Sequence, residues 1–340
     1  MSTTSPASTT SRPSGPSGLS GPSGPSGPPA APEPSAPLPA GPAVRRPWKV
    51  VLLSALAGFL LTVVWSAEFV DHAIGGTVAD AVLGRDADAT PITGLLSGIA
   101  FAFATGLAGT FTACNIAALG AVAPLLGAGR PLKARLLGTL RPLGWMAAGM
   151  LTVSGIYGVV AALAGTGMPQ FLTTPSGPGM SPRLVQAMVV FGVIGLILLY
   201  QGLAALGIVP DPLERISRRF PHARMVVMGA LIGAFLVGRP FGLFRQLFRD
   251  TAERHDPLYG ALAFMLQSIG NIVVVAVLFL ILALGTGGRV HRWLTARPGR
   301  IAVVTGAAFI VAGVFTLLYW DVRILARREI IPWYPMAPWA

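Results

Sequence analysis

The sequence predicts an all-α polytopic membrane protein with seven transmembrane helices, an N-terminal anchor plus two inverted three-helix repeats. Three observations predict it. Apolar residues fill 53% of the 340 positions and charged residues only 11%, against roughly 25% charged in soluble domains. Seven apolar runs long enough to cross a bilayer follow one another between Trp48 and Trp320. The second and fifth of these are overlong and interrupted by glycine, at matching places in two groups of three. The mean hydropathy of +0.67 agrees. The runs argue against a β-barrel, because its strands would alternate over about 10 residues instead of running apolar for about 20.

The elements follow in order. Residues 1–47 are rich in Pro, Ser and Gly and nearly devoid of large apolar side chains. Such a segment cannot bury enough surface to offset its ordering entropy, and it is predicted as a disordered cytoplasmic tail. Residues 15–29 keep a Gly-X-Y period, but over too short a stretch for a stable triple helix. Residues 48–90 are predicted as an anchor helix, near 50–67, and an external acidic loop. Arg45, Arg46 and Lys49 precede that helix as they would a signal peptide. The long tail before it and the charged Glu68, Asp71 and His72 after it fit an uncleaved anchor better. Residues 91–209 form the first predicted three-helix repeat, with spans near 94–126, 142–165 and 185–209. Residues 222–340 form the second repeat and a C-terminal tail, with spans near 225–248, 258–286 and 301–320.

Charge sets the expected orientation. The net charge is +12, but the basic residues sit in short clusters between apolar runs, as the positive-inside rule requires, which argues against nucleic-acid binding. With the N-terminus cytoplasmic, the internal segments hold Arg45, Arg46, Lys49, Arg130, Lys133, Arg135, Arg141, Arg215, Arg218, Arg219, Arg224, Arg289, Arg292, Arg297 and Arg300. The external segments hold eight basic residues, and 10 of the 13 acidic ones. The bias predicts a multi-pass plasma-membrane protein with its C-terminus external. The basic segment Arg323–Arg328 runs against it.

The groups of three are expected to be inverted, because an odd number of spans per group reverses the second. Interrupted helices at matching positions point to a site near the bilayer midplane. The fifth run carries Arg239 in Val237-Gly-Arg-Pro-Phe-Gly242. Helical steps of ~1.5 Å from Met225 put it ~21 Å into a core of ~30 Å. An arginine at that depth is expensive, holds its proton and anchors anions. Gln267, Ser268 and Asn271 lie one span later; Thr110, Thr112 and Asn115 lie in the other repeat. With Arg239 these are the predicted substrate-binding residues, lining one polar site between the repeats. The other reading is structural, since buried polar residues also pin helices together.

The broken-helix elements around Phe111-Thr-Ala-Cys114-Asn-Ile-Ala-Ala-Leu and Val237-Gly-Arg-Pro-Phe-Gly242, with the glycine-marked Tyr259-Gly260 to Gly270 helix, carry a likeness. Over about 91–320 the chain resembles the CcdA/DsbD-like cytochrome c biogenesis transmembrane family, within the LysE-like transporter architecture. The resemblance implies an integral membrane protein that transports a small solute, or a membrane subunit supporting cytochrome c or redox-protein maturation, with a maturation partner. It also implies a thiol role for Cys114, the candidate catalytic residue and the sole cysteine. Arg239 stands where the family would place its second cysteine. One cysteine can form a mixed disulfide with a partner thiol but cannot close an internal one. Three readings stay open: transporter, electron transfer through Cys114, and a structural subunit. An enzyme is the less favoured class.

Two weaker constellations remain. Glu68 and His72, at i and i+4, share a helix face as metal ligands do, with Asp71 beside them. The alternative is an acidic external loop that obeys topology. The mixed-sign segment Arg245–Asp256 reads as a solvated interfacial face with ordinary ion pairs. No cofactor motif is present, and the expected surroundings are the lipid bilayer.

Overall fold

In a computed structural model, residues 46–66, 76–84, 86, 92, 94–108, 132–174, 180–238, 242–285, 289–297 and 299–338 are described. Among them the chain is helical and has no strand. The helices are α1 (Pro47–Val64), α2 (Thr77–Leu83), α3 (Gly94–Ala108), α4 (Leu132–Ala164), α5 (Pro182–Ala205), α6 (Glu214–Arg219), α7 (Ala223–Gly238), α8 (Gly242–Arg254), α9 (Pro257–Gly285), α10 (Arg289–Thr295), α11 (Arg300–Leu317) and α12 (Arg323–Arg327). A π-helical turn, Leu318–Val322, joins the last two.

Five helical segments are long and apolar enough to cross a membrane: Pro47–Val64, Leu140–Gly167, Pro182–Ala205, Pro257–Ile281 and Arg300–Arg327. The pair α7–α8 makes a sixth if it is one bent span, and α3 is a shorter apolar helix. Their outward faces carry large apolar side chains, such as Leu52, Leu53, Leu56 and Leu60 on α1 and Val189, Val193 and Leu196 on α5. Such faces would be costly in water and suit lipid. The fold is that of a membrane-embedded helical protein.

Local chemistry starts the helices where they start. Pro47 and Pro182 occupy first-turn positions, where a missing N–H costs nothing. Before α9, Asp256 Oδ1 accepts from the Leu258 and Tyr259 amides at 2.9 and 3.2 Å, an N-cap followed by Pro257. In α6, Arg218 donates to Glu214 one turn back at 2.7 Å and holds that exposed carboxyl below the usual carboxylate range.

The expected fifth span, 225–248, is not one straight helix. Helices α7 and α8 meet at 82°. Helix α8 is amphipathic: Leu243, Phe244, Leu247 and Phe248 are buried while Arg245, Arg249 and Glu253 face out. Such a helix lies across the end of the bundle and does not continue through it. Asp250 fastens it to α9 by accepting from the Tyr259 hydroxyl at 2.6 Å, and within α8 it accepts from Arg254 Nε at 3.0 Å. The bent pair runs beside α4 from the level of Trp145 to that of Ala162. His222, before α7, stacks on Trp145 at 5.1 Å, and His255, after α8, reaches the Ala162 carbonyl at 3.3 Å. Trp145 and Ala162 are ~26 Å apart along a helix.

Close glycine contacts set the helix packing. A Cβ on Gly149 (α4) would collide with the Val226 carbonyl of α7, and one on Gly229 (α7) with the Met146 carbonyl of α4. Likewise a Cβ on Gly106 (α3) would strike the Gln267 carbonyl of α9, and one on Gly270 (α9) the Phe103 carbonyl of α3. Helices α5 and α11 run antiparallel, with Gly195 opposite Gly313 and Gly202 opposite Gly306. Small residues let membrane helices approach this closely, replacing the hydrophobic drive that lipid removes.

The helix of the expected last span, 301–320, does not end at Trp320. Helical structure runs to Arg327 through the π turn. Arg323, counted from sequence as an external loop charge, is 2% exposed. The reason is a set of backbone partners that the sequence does not show. Arg323 Nη1 donates to the Thr62 and Trp65 carbonyls at 3.2 and 2.9 Å, at the end of α1. The tail then returns to the same place: the Tyr334 and Thr62 hydroxyls are hydrogen bonded, and the Ala337 amide donates to Val63 at 3.0 Å. Helix α2, inside the expected acidic loop, was also not anticipated; it packs on α3 and buries Ala79.

Candidate functional site

Three of the predicted site residues fall in described structure, and all three are buried on α9. Gln267, Ser268 and Asn271 are 3%, 1% and 7% exposed. Gln267 and Asn271 share one face at i and i+4. The Gln267 backbone is pressed against Gly106 of α3. Ser268 continues the row Gly260–Phe264, the row whose first member meets Gly158 of α4. Buried side-chain polar atoms are normally hydrogen bonded. Here Gln267 Oε1 and Ser268 Oγ have no partner among the described residues. Two adjacent residues in the middle of an apolar helix thus present unused hydrogen-bonding capacity to the interior.

The other predicted residues cannot be placed beside them. Arg239, Thr110, Thr112, Asn115 and Cys114 lie outside the described residues, as do Glu68, Asp71 and His72. Among the described residues no group of three or more His, Cys, Asp or Glu side chains could hold a metal ion.

A second polar cluster, missed from sequence, closes the end of α7. The Val237 carbonyl lies in the last turn before the bend, where a helix leaves its carbonyls without intrahelical donors. It accepts from Gln170 Nε2 at 2.7 Å and from Gln186 Nε2 at 2.8 Å. Gln170 comes from a 3-10 turn after α4 and Gln186 from the first turns of α5. Gln186 also reaches the Tyr157 hydroxyl at 3.5 Å, and its Oε1 is buried without a partner. The Tyr157 ring packs edge-on against Phe264 at 5.7 Å, one turn from Ser268. The two polar clusters are therefore separated by one aromatic layer, which Phe244 and Phe248 of α8 complete. The available signal was a glutamine inside an otherwise apolar span, at 186.

Comparison with protein-family models, characterised proteins and solved structures finds no match for this chain. The likeness to the CcdA/DsbD-like family rests on the span pattern and glycine placement alone.

Proposed function

We propose that this chain is a multi-pass plasma-membrane transporter of a small polar solute, with its N-terminus cytoplasmic and its C-terminus external. The observation that carries the reading is the unpartnered pair Gln267 Oε1 and Ser268 Oγ inside the helix bundle. An unsatisfied buried polar group costs roughly 1–3 kcal/mol. A solute that brings a donor to Gln267, and a donor or acceptor to Ser268, offsets that cost when it binds. Arg239, one residue past the end of α7, is proposed to add charge to the same site.

Two inverted repeats, α3–α4–α5 and α7–α9–α11, are the proposed framework. The reciprocal glycine contacts support it. Exchanging α3 for α7 and α4 for α9 turns the Gly106–Gln267 and Gly270–Phe103 contacts into Gly229–Met146 and Gly149–Val226. One shift relates each pair of helices almost uniformly: 229 − 106 = 123 and 270 − 149 = 121. For α5 and α11, 306 − 195 and 313 − 202 both equal 111. In this register Gln267, Ser268 and Asn271 answer to Met146, Ala147 and Met150.

The test uses purified protein in liposomes and a defined mixture of amino acids, small organic anions and small cations, followed by mass spectrometry of the vesicle contents. At least one component should enter faster than in protein-free vesicles. Gln267→Leu and Ser268→Ala, each folded by its elution profile, should slow that entry about tenfold or more, the worth of roughly 1.4 kcal/mol of lost interaction. Unchanged entry in both variants would remove the site.

A further inference from the structure

Asp321 lies on the π-helical turn, where the backbone leaves the regular α-helical ladder. Single π turns inside α-helices are rare and occur often at functional sites. Its carboxylate faces Gly192 of α5: a Cβ there would stand 3.3 Å from Asp321 Oδ1. Gly192 is ten residues into α5, which begins at Pro182, so it lies ~15 Å from that helix's start. Both residues, Gly192 and Asp321, belong to segments long and apolar enough to cross a membrane, Pro182–Ala205 and Arg300–Arg327. Asp321 Oδ2 is buried and has no hydrogen-bond partner among the described residues.

Among the described residues, the charged groups nearby do not answer it. Helix α5 brings Gly192 and, nine residues earlier, Arg183, which has its own interaction. Helix α1 brings no charged side chain between Val50 and Trp65. On the same stretch as Asp321, Arg323 turns to the α1 carbonyls, and its Nε and Nη2 make no hydrogen bond. Arg327 is exposed, a turn and a half further on.

An ionisable side chain in a membrane span is a functional position by default. A divalent cation would want about six oxygens, and one lone carboxylate does not supply them. A proton needs a single oxygen. The surroundings also link Asp321 to the broken helix. Its neighbour Trp320 stacks on Phe191 at 4.4 Å, and the Phe191 ring lies against Gly238, the last residue of α7 before the bend.

We propose that Asp321 is a proton-binding site within the bundle, and that proton uptake and release there drive the solute transport. The driving role rests on the transporter reading; the proton site does not. In the step, an O–H bond forms between a proton from one aqueous phase and a carboxylate oxygen, and the same bond breaks on release to the other phase. On uptake a hydronium O–H bond breaks and leaves water, and on release water regains the proton as hydronium. The charge change at Asp321 is felt by Trp320, Phe191 and the end of α7.

The experiment has two arms on the full-length protein in liposomes. Infrared difference spectra between acidic and neutral buffer, with the proton itself as the probe, should show a carboxylic-acid carbonyl band. Asp321→Asn should remove that band, and Asp321→Glu should restore it at a shifted position. The same band in wild type and Asp321→Asn overturns the proton site. In the flux arm, an imposed gradient of one pH unit, equal to about 1.4 kcal/mol, should let the wild type concentrate the transported component of the mixture about tenfold. Asp321→Asn should only equilibrate it. Concentration by Asp321→Asn to the wild-type level overturns the driving role. If nothing in the mixture moves in wild type, the transporter reading fails, and the infrared band still decides the proton site.

Discussion

Arg323 shows how one side chain can look like a topological signal and serve another purpose. In the sequence it belongs to a basic segment that runs against the positive-inside bias. In the fold it is buried, with its guanidinium 4.7 Å over the Tyr319 ring and one nitrogen shared by two terminal carbonyls of α1. A cation is stabilised at a helix C-terminus, where carbonyls lack intrahelical donors. The charge therefore fastens the first helix to the last and says nothing about which side of a membrane it prefers. Arg323→Met should cost roughly 1.5–3 kcal/mol, the range for hydrogen bonds to a charged group. It should also make α1 the first helix to become protease-sensitive. Arg327→Met, at an exposed position of α12, should stay within about 0.5 kcal/mol of wild type. Thermal unfolding in detergent with limited proteolysis checks both. Equal effects of the two substitutions would deny Arg323 its anchoring role.

At the scale of elements, the bend between α7 and α8 was legible and its support was not. The Gly238 and Pro240 pair in an overlong run signals a break, and the mixed charges from Arg245 to Asp256 signal an interfacial helix. Those signals are local, and the fold honours both. The acceptor at the break is the Val237 carbonyl, and its donors lie 67 and 51 residues away in sequence. No periodicity or motif encodes such partners; only tertiary packing brings them together. The same reason hid Asp321 opposite Gly192, and α2 beside α3. In the candidate site, Gln267, Ser268 and Asn271 were legible because polar residues inside an apolar run stand out one by one. Gln170 and Gln186 divide one task, which makes a sharp prediction. Either Gln→Leu change alone should cost about 1 kcal/mol, because the other glutamine still satisfies Val237. The double variant leaves a buried carbonyl bare and should lose roughly 1–3 kcal/mol more than the sum. A double-mutant cycle on thermal stability measures this directly, and strict additivity would mean that another donor takes over.

For the whole molecule, the decisive property is the direction in which each half crosses the membrane. Helix α3 starts near the end of the bundle where α9 starts, since Gly98 lies against Tyr259. Helix α7 starts at the opposite end, since His222 lies on Trp145, near the beginning of the apolar part of α4. On the proposed reading, two three-helix groups that enter from opposite ends are inverted, and an inverted pair can alternate a central site between the two faces. The bent pair is the critical link. If α7 and α8 together cross, α9 begins on the far side and α11 ends there. If they turn back, everything after Pro257 changes sides. Single cysteines in a Cys114→Ala background distinguish these cases, at the exposed positions Asp86, Arg215 and Arg328. Asp86→Cys and Arg328→Cys should react with a membrane-impermeant maleimide on intact cells, and Arg215→Cys only after permeabilisation. Reaction of Arg215→Cys on intact cells would place both groups in the same direction. Protection of Arg328→Cys alone would make α7–α8 re-entrant. The expected pattern would leave Gln267, Ser268 and Asp321 in the proposed second repeat, where the proposed solute and proton could be taken up on one side and released on the other.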